Sequence, residues 1–367
     1  MIALALGLLT LGSPEDPPIN VWDKLEFYAT GRMRGEATWD QPNDANDRYR
    51  GRMRFRFGTK YQLTEELKAE ARLSTTSDGH DANNPHWDFG DGDGFNGADV
   101  ALDRFFLTWL PTEEVDLRVG KQPHAFKQPP IYGEFLWDND IQPSGVAGLW
   151  TPDTDGDAKF DVRAAGYVAT EVADDADPKM IGAQGNVVVP VEEDLQINGS
   201  VALYDWDDLE DGVTVAGNQG NTDVTSDFTI LEGIVSGTMK EGPLDEMSGY
   251  LQLVHNLAQS DEENGFAVGG QLGPASGKQG QYNLFLVYYD LDADCVFSPV
   301  AQDDTPIAGT GDNGDPEGMN GVVLGGTYFW RDNMVFKLWL LTSDADVDED
   351  PFRLRIDFDF TLDKKHL

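Results

Sequence analysis

Residues 48–57 constrain the fold more than any other part of the chain. Their sequence is RYRGRMRFRF, with arginine at every second position and tyrosine, glycine, methionine or phenylalanine between. Because side chains alternate between the two faces of a β-strand, this stretch as a strand has one cationic face and one apolar face. As a helix it would scatter the arginines around the whole circumference. The pattern therefore predicts a β-strand.

A strand of this kind fits two environments. Its apolar face carries Met53, Phe55 and Phe57, which need an apolar partner, while five unpaired arginines cannot enter a dry core because each buried charge is too costly. In a soluble sandwich the arginines would face bulk water. In a membrane barrel they would face a wet lumen, and the aromatic side chains would face lipid.

The rhythm of the chain favours the barrel. Alternation and turn residues predict about sixteen strands between residues 23 and 362. Short turns, such as 64–66 and 331–333, alternate with longer loops, such as 78–99 and 292–319. An even number of strands leaves both termini on the short-turn side, and up-and-down barrels of the bacterial outer membrane have both features. A Greek-key sandwich gives no reason for connection lengths to alternate.

The last predicted strand, residues 352–362, supports the same fold. One face is apolar throughout, and the other is charged or polar, with Arg353, Arg355, Asp357, Asp359 and Thr361. Tryptophans at or near strand ends suit the aromatic girdle of a membrane barrel; those that we expect there are Trp22, Trp39, Trp109, Trp330 and Trp339.

We therefore predict an all-β fold. It is a transmembrane antiparallel up-and-down β-barrel of about 16 strands, with short periplasmic turns and long extracellular loops. Residues 23–362 form this single barrel, and residues 363–367 form a C-terminal tail.

The N-terminal apolar run IALALGLLTLG is too short to cross a bilayer as a helix. It resembles the hydrophobic region of a secretory signal, with Gly12 and Ser13 near a cleavage point. We expect residues 1–12 to be a signal-peptide remnant and residues 13–22 a lead-in to the barrel. The alternative is an ordinary apolar N-terminus.

Composition excludes several functions. With 66 acidic and 26 basic residues, the formal charge of −40 excludes nucleic acid as a natural partner. Cys295 is the only cysteine, so an internal disulfide is excluded. No catalytic motif is present, and the histidines lack metal-ligand spacing; they are His80, His86, His124, His255 and His366. We predict that the protein is not an enzyme and requires no cofactor.

The predicted lumen carries a cationic patch. If the first two strands are neighbours, their arginines share one inner wall, and residues of the fifth strand extend it; the predicted pore-lining cations are Arg32, Arg34, Arg48, Arg50, Arg52, Arg54, Arg56, Arg118 and Lys121. Like charges at this density need counter-charge or water.

The long segment 124–140 supplies counter-charge in Glu134, Asp138 and Asp140. We expect it to fold inward and narrow the pore, which would set up a transverse field between a positive wall and a negative loop. The alternative is that the loop stays outside and the arginines pair only with neighbouring strands.

One acidic turn invites a metal interpretation. Asp153, Asp155 and Asp157, with Asp161 further on, resemble the first half of a calcium loop, since oxygen ligands recur at every second residue around Gly156. The full spacing that ends in glutamate is absent. A Ca²⁺ site and a solvated acidic turn are the two interpretations.

Several motifs resemble the Putative porin family of Gram-negative outer membranes, which is related to general and phosphate-selective porins. The resemblance covers roughly residues 25–150; its motifs are GRMR at 31–34, RYRGRMRFRF at 48–57, LTW at 107–109, VGK at 119–121 and LWDND at 136–140. It implies a sixteen-stranded barrel, commonly trimeric, that resides among outer-membrane lipid and lipopolysaccharide. It also implies the passage of small hydrophilic solutes or ions.

The sequence thus favours an outer-membrane porin whose arginine wall faces an acidic inward loop. The alternative is a non-conducting barrel, or a soluble β-protein, whose acidic loops bind calcium or a surface partner. The net charge favours cations and the arginine wall favours anions. We give more weight to the wall, because permeation is decided at the narrowest point.

Overall fold

A computed structural model describes most of the 367 residues. The described residues are 21–39, 47–76, 85–89, 97–172, 176–209, 228–302, 318–344 and 352–363. The predicted signal-peptide remnant 1–12 lies outside them.

The structure is a sheet of seventeen strands. In chain order they are β1 Leu25–Trp39, β2 Arg48–Gln62, β3 Leu67–Thr76, β4 Trp87–Asp88, β5 Asp99–Thr112, β6 Val115–Lys121, β7 Ser144–Trp150, β8 Lys159–Val168, β9 Lys179–Pro190, β10 Leu195–Asp207, β11 Phe228–Gly242, β12 Asp245–Asn256, β13 Asn264–Leu272, β14 Tyr282–Leu291, β15 Met319–Arg331, β16 Met334–Asp344 and β17 Phe352–Leu362. Short 3₁₀ helices lie at Val21–Lys24 and Ser298–Val300. Among the described residues, no helix is long and apolar enough to cross a membrane.

Antiparallel pairing closes this sheet on itself. Apart from β4, each strand pairs with its neighbours along the chain, and β1 also pairs with β17, from Ala29 opposite Leu362 to Trp39 opposite Phe352. The two-residue β4 pairs with β2 beyond the point where β3 ends. Sixteen strands therefore form the wall, which confirms the predicted barrel.

Connection lengths alternate as the sequence predicts. Turns at 63–66, 113–114, 191–194, 243–244 and 332–333 close one end of the barrel, while connections at 77–98, 122–143, 208–227 and 292–318 belong to the other end. The chain enters β1 and leaves β17 at the short-turn end. Two connections at that end, 151–158 and 273–281, are longer than the rest.

Alternation along each strand separates the two faces of the wall. On β11, Ile230, Glu232 and Ile234 are buried inside, whereas Leu231 and Val235 are exposed outside. The outer face is apolar over most of the barrel, so it suits a lipid surrounding.

Aromatic side chains lie on this outer face near the strand ends. Trp109, Trp150 and Trp330 are exposed towards the short-turn end. At the long-loop end, the Trp39 indole lies 5.4 Å from the Phe352 ring. The expectation for Trp339 is wrong: its side chain lies inside the barrel, against Tyr132 and Phe285, because β16 presents residue 339 to the lumen.

Two segments from the long-loop end fold into the barrel. The first is 122–143, and the second is the described part of the β14–β15 connection, 292–302. Their apolar side chains are almost fully buried against the inner faces of β8–β16; examples are Phe135 at 1%, Trp137 at 2% and Phe297 at 1% exposure. The interior is thus packed with apolar groups on one side and charged on the other.

The two faces predict different tolerances to charge. We expect Val201→Arg, on the outer face of β10, to lower the free energy of unfolding by about 2–4 kcal/mol, because arginine would enter the lipid. The control Asn198→Arg lies on the lumen face of the same strand and should cost much less. Denaturant titration of the barrel in lipid vesicles measures both; equal losses would contradict the assigned faces.

Candidate functional site

The register of β1 and β2 assembles a cationic surface on the inner wall. Arg32 lies opposite Arg54, and Arg34 lies opposite Arg52. All arginines at the predicted positions of the two strands share the lumen face. We call this set the arginine wall; it comprises Arg32, Arg34, Arg48, Arg50, Arg52, Arg54 and Arg56.

The closing strand β17 supplies the first counter-charges. Arg32 donates from Nε to Asp359 Oδ1 at 2.8 Å, and Arg34 donates from Nε and Nη2 to the two oxygens of Asp357 at 2.8 and 2.9 Å. The side chain of Asp357 is fully buried. These bidentate pairs offset part of the cost of burying guanidinium groups.

Glu36 neutralises the wall from within β1. Its carboxylate accepts hydrogen bonds from Arg50 and, at 2.6 Å, from Arg355 Nε of β17. Arg52 Nη1 lies 3.8 Å from the same group. One carboxylate of β1 thus serves three guanidiniums on its two neighbouring strands, β2 and β17.

Two loop carboxylates complete the pairing. Asp88 of β4 accepts from Arg52 Nε at 2.7 Å and from Arg50 Nη1 at 3.3 Å. Asp140, in the infolded segment 122–143, accepts from Arg54 through Oδ2 and from Arg56 Nη1 through Oδ1 at 2.9 Å. Both contacts tie long-loop segments to the wall.

The wall continues across β3 and β5. Asp103 accepts from Arg72 Nε and lies 3.5 Å from Arg56 Nε. Arg104 donates to the Gln142 side chain at 2.5 Å and to Glu70 at 3.4 Å. The charged surface therefore spans β17, β1, β2, β3 and β5.

Several members of this network are absent from the sequence-based set. The missing residues are Glu36, Glu70, Arg72, Asp88, Asp103, Arg104, Arg353, Arg355, Asp357 and Asp359. Alternation along the strands places most of these residues on lumen faces, so their inward orientation could be predicted from the sequence. The ion pairs among them could not be predicted, because they depend on the register between strands.

The infolded segment 122–143 is held mainly by aromatic packing. The Phe126 ring lies 4.8 Å from that of Tyr204, and Phe135 lies 4.8 Å from Tyr289. Trp137 stacks on His124 at 5.4 Å within the same segment. The segment thus lies inside the barrel with its apolar side towards β8–β16; that it constricts a pore stays a prediction.

The segment 292–302 contacts the segment 122–143 inside the barrel and helps to hold its position. Phe297 lies 4.3 Å from the Trp206 ring. The backbone N–H of Asp138 donates to Val300 O at 2.8 Å, and that of Gln302 donates to Glu134 O at 3.1 Å. The sequence predicts 292–319 as a long loop, with no inward position assigned to it. Its apolar run 295–297 was the signal that indicates burial.

The three predicted loop carboxylates have different surroundings. Asp140 contacts the arginine wall at Arg54 and Arg56. Asp138 is buried and accepts from the Asp140 backbone N–H at 2.6 Å, and Glu134 accepts from Asn139 at 2.7 Å. Asp140 therefore touches the wall directly and does not stand opposite it across an open gap.

The two cations expected on the fifth predicted strand, now β6, do not join the wall. Arg118 pairs with Asp116 of its own strand at 2.6 Å, and Lys121 donates to the Gln142 carbonyl at 2.8 Å. Arg118 lines a cavity of about 770 Å³ near the short-turn end. Its charged lining is balanced, with Lys24, Lys60, Lys68 and Arg118 against Asp23, Glu26, Glu70 and Asp116.

The acidic turn gives no metal geometry. In the part of the chain that the structure describes, no three histidine, cysteine or acidic side chains are grouped so as to hold a metal ion. Asp153, Asp155 and Asp157 are exposed on the 151–158 turn, and Asp161 pairs with Arg163 at 2.8 Å and with Lys127. The calcium hypothesis stays a prediction.

Charge and burial shift the pKa values of the loop groups. Burial opposes ionisation of Asp140, but Arg54, Arg56 and Arg32 outweigh it and hold the pKa of this carboxyl well below its ordinary value. Burial, helped by Arg163 and Arg104, lowers the pKa of His124 to about 4. At neutral pH the loop therefore presents an ionised Asp140 and a neutral His124.

A closed sixteen-strand barrel with a charged interior and an infolded loop is the architecture of a porin. Solved structures agree: OprB of Pseudomonas putida at high pH matches with a TM-score of 0.60 and 10% identity, over 92% of this chain and 94% of OprB. The Salmonella typhi OmpF complex with daunomycin gives 0.51 and 12%, over 92% and 97%. A mutant of the Rh. blastica porin gives 0.52 and 11%, over 92% and 100%.

The sequence also identifies the family. The model of the family described as Putative porin matches residues 18–233, which is more than half of the chain, and this chain belongs to that family. A search of curated proteins found no match.

The low pKa of His124 predicts a pH-dependent stability. Unfolded, the imidazole binds a proton near pH 6.5, whereas the folded protein resists this until about pH 4. The folded state should therefore lose up to about 3 kcal/mol as the pH falls between these values. His124→Phe keeps an aromatic ring beside Trp137 and should remove this loss.

Unfolding free energies of both proteins, measured in detergent from pH 7 to pH 4, check this prediction. Only the difference between the two curves counts, because the buried His86 also has a lowered pKa and contributes equally to both. Parallel curves would contradict a buried neutral His124.

Proposed function

We propose that this protein is an outer-membrane porin, a water-filled channel for passive diffusion of small hydrophilic solutes and ions. The observation that carries the proposal is the arginine wall on the inner face of a closed barrel. Guanidinium groups at this density need water or anions close by. The function is transport and not catalysis.

An off-centre solute path is part of the proposal, and the packing inside the barrel supports it. Aromatic side chains of segments 122–143 and 292–302 fill the interior beside β8–β16. The polar surface left for solutes is that of β17, β1, β2, β3 and β5, and Asp140 meets it at Arg54 and Arg56. We assign the narrowest point of the channel to this contact.

Charge at the narrow point favours anions. Among the described residues, the network contains eleven arginines and seven carboxylates; they are Arg32, Arg34, Arg48, Arg50, Arg52, Arg54, Arg56, Arg72, Arg104, Arg353 and Arg355, with Glu36, Glu70, Asp88, Asp103, Asp140, Asp357 and Asp359. The local excess is positive although the whole chain is strongly acidic. A solute responds most to the nearest charges, because salt screens distant ones within about 10 Å at 0.1 M.

The outer face suggests the surroundings of the channel. Its apolar band between aromatic ends suits outer-membrane lipid and lipopolysaccharide. Related porins are commonly trimers, and we include a homotrimer in the proposal.

Conductance in a planar bilayer under a salt gradient tests the proposal. We expect steady single channels with anion selectivity in the wild type. In Arg54→Gln/Arg56→Gln, the reversal potential should move towards cations, because two positive charges are lost and Asp140 becomes unpaired. A charge 4 Å from a passing ion contributes about 1 kcal/mol in bulk water, which corresponds to about a fivefold change in permeability ratio.

Arg331→Gln is the control, because it removes one positive charge at the exposed short-turn rim. It should leave selectivity unchanged. A conducting double variant with wild-type selectivity would remove the constriction from the proposal. No conductance from correctly folded protein, as judged by heat-modifiable gel migration, would refute the porin and favour a non-conducting barrel with binding loops.

A further inference from the structure

The contact between Asp140 and the arginine wall pairs one carboxylate with two guanidinium groups. Each carboxylate oxygen of Asp140 accepts from a different guanidinium, Oδ2 from Arg54 and Oδ1 from Arg56. Arg54 and Arg56 are on the same face of β2, two residues apart, so their Nη1 groups form a two-pronged clamp for one carboxylate.

This pair differs from the pairs between β1 and β17 in the part of the chain that supplies its carboxylate. Asp357 and Asp359 are fixed by the main-chain register of β17 against β1. Asp140 comes instead from the segment 122–143, which is not a wall strand. Among the described residues, the only ion pair of Arg54 is with Asp140.

Arg54 and Asp140 are partly exposed to the lumen, as is the strand pair Arg32–Asp359 at 16% and 20%, whereas Arg56 keeps only 6% of its side-chain surface exposed. The side chains of Arg54 and Asp140 keep 12% and 15% of their surface exposed, whereas Arg34 and Asp357 keep 4% and 0%. A solute in the lumen can therefore reach Arg54 and cannot reach Arg34.

We propose that Arg54 and Arg56 form a binding site for the carboxylate group of a permeating solute, and that Asp140 is its tethered occupant. A small dicarboxylate entering the lumen displaces the Asp140 side chain and takes its hydrogen bonds. The proposal deepens the proposed function, since it names the solute class, and it rests on a lumen that is open to solutes.

The displacement does not require the loop to leave the barrel. Segment 122–143 keeps its aromatic contacts, such as Phe126 with Tyr204, and its backbone hydrogen bond from Asp138 to Val300. Only the side chain of Asp140 has to turn away. The exchange is therefore a local competition between a tethered and a free carboxylate.

Binding of succinate to the folded barrel in detergent tests this competition by titration calorimetry. A tethered group competes at an effective concentration in the millimolar range, so its removal should tighten succinate binding by about tenfold. We expect this gain in Asp140→Asn. Glu134→Gln removes the same charge from the same segment at a carboxylate that accepts from Asn139, and it should bind succinate like the wild type.

Two further variants locate the site. Asp140→Glu restores the tethered charge and should return the affinity towards that of the wild type. Adding Arg54→Gln to Asp140→Asn should abolish the gain. Sodium chloride at equal ionic strength should not reproduce the binding heat, because chloride cannot bridge two guanidiniums through two oxygens.

Each outcome decides the proposal. Equal succinate affinity in Asp140→Asn and the wild type, or no binding in either, overturns it, as does a gain that survives loss of Arg54. Conductance distinguishes the failure of this inference from the failure of the proposed function. Succinate binding without conductance would keep the carboxylate site and reject the porin. Conductance without tighter succinate binding in Asp140→Asn would keep the porin and reject the carboxylate site.

Discussion

The barrel depends on pairing a dense row of guanidinium groups with carboxylates from other parts of the chain. A strand with arginine at every second residue cannot lie in a closed interior unless acids meet it in register. Glu36 of β1 and Asp357 and Asp359 of β17 do this through strand pairing, and Asp88 and Asp140 do it through loops. The contacts of Asp88 and Asp140 with the wall thus supply negative charge that the buried arginines need.

Sequence alone was sufficient for the wall of the barrel. The alternation of residues 67–76 and 352–362 predicts two strands, and these have the observed bounds of β3, Leu67–Thr76, and β17, Phe352–Leu362. It also predicted the inward faces, because a period of two fixes the side of every residue once one side is known. The alternation also predicts a strand at 115–123, which is two residues longer than β6, Val115–Lys121.

The interior was harder to predict, because its contacts join residues far apart in the chain. The sequence predicts that Asp140 faces the lumen, because it belongs to a loop expected to fold inward. Its direct ion pairs with Arg54 and Arg56 depend on how aromatic packing positions the segment 122–143. Trp339 was assigned to the outside from its residue type, although β16 places it within. Tryptophan as a residue type favours a membrane interface. In β16, however, the alternation of side chains turns residue 339 towards the lumen.

The pairing of β1 with β17 links the order of synthesis to electrostatics. Arg32 and Asp359 are 327 residues apart in the chain, and Arg34 and Asp357 are 323 apart. The first strand is therefore made long before its carboxylates exist, and its guanidiniums need water until the final strand arrives. Closure of the barrel and neutralisation of β1 are a single event, so an unfinished chain carries a hydrated cationic edge that resists entry into lipid.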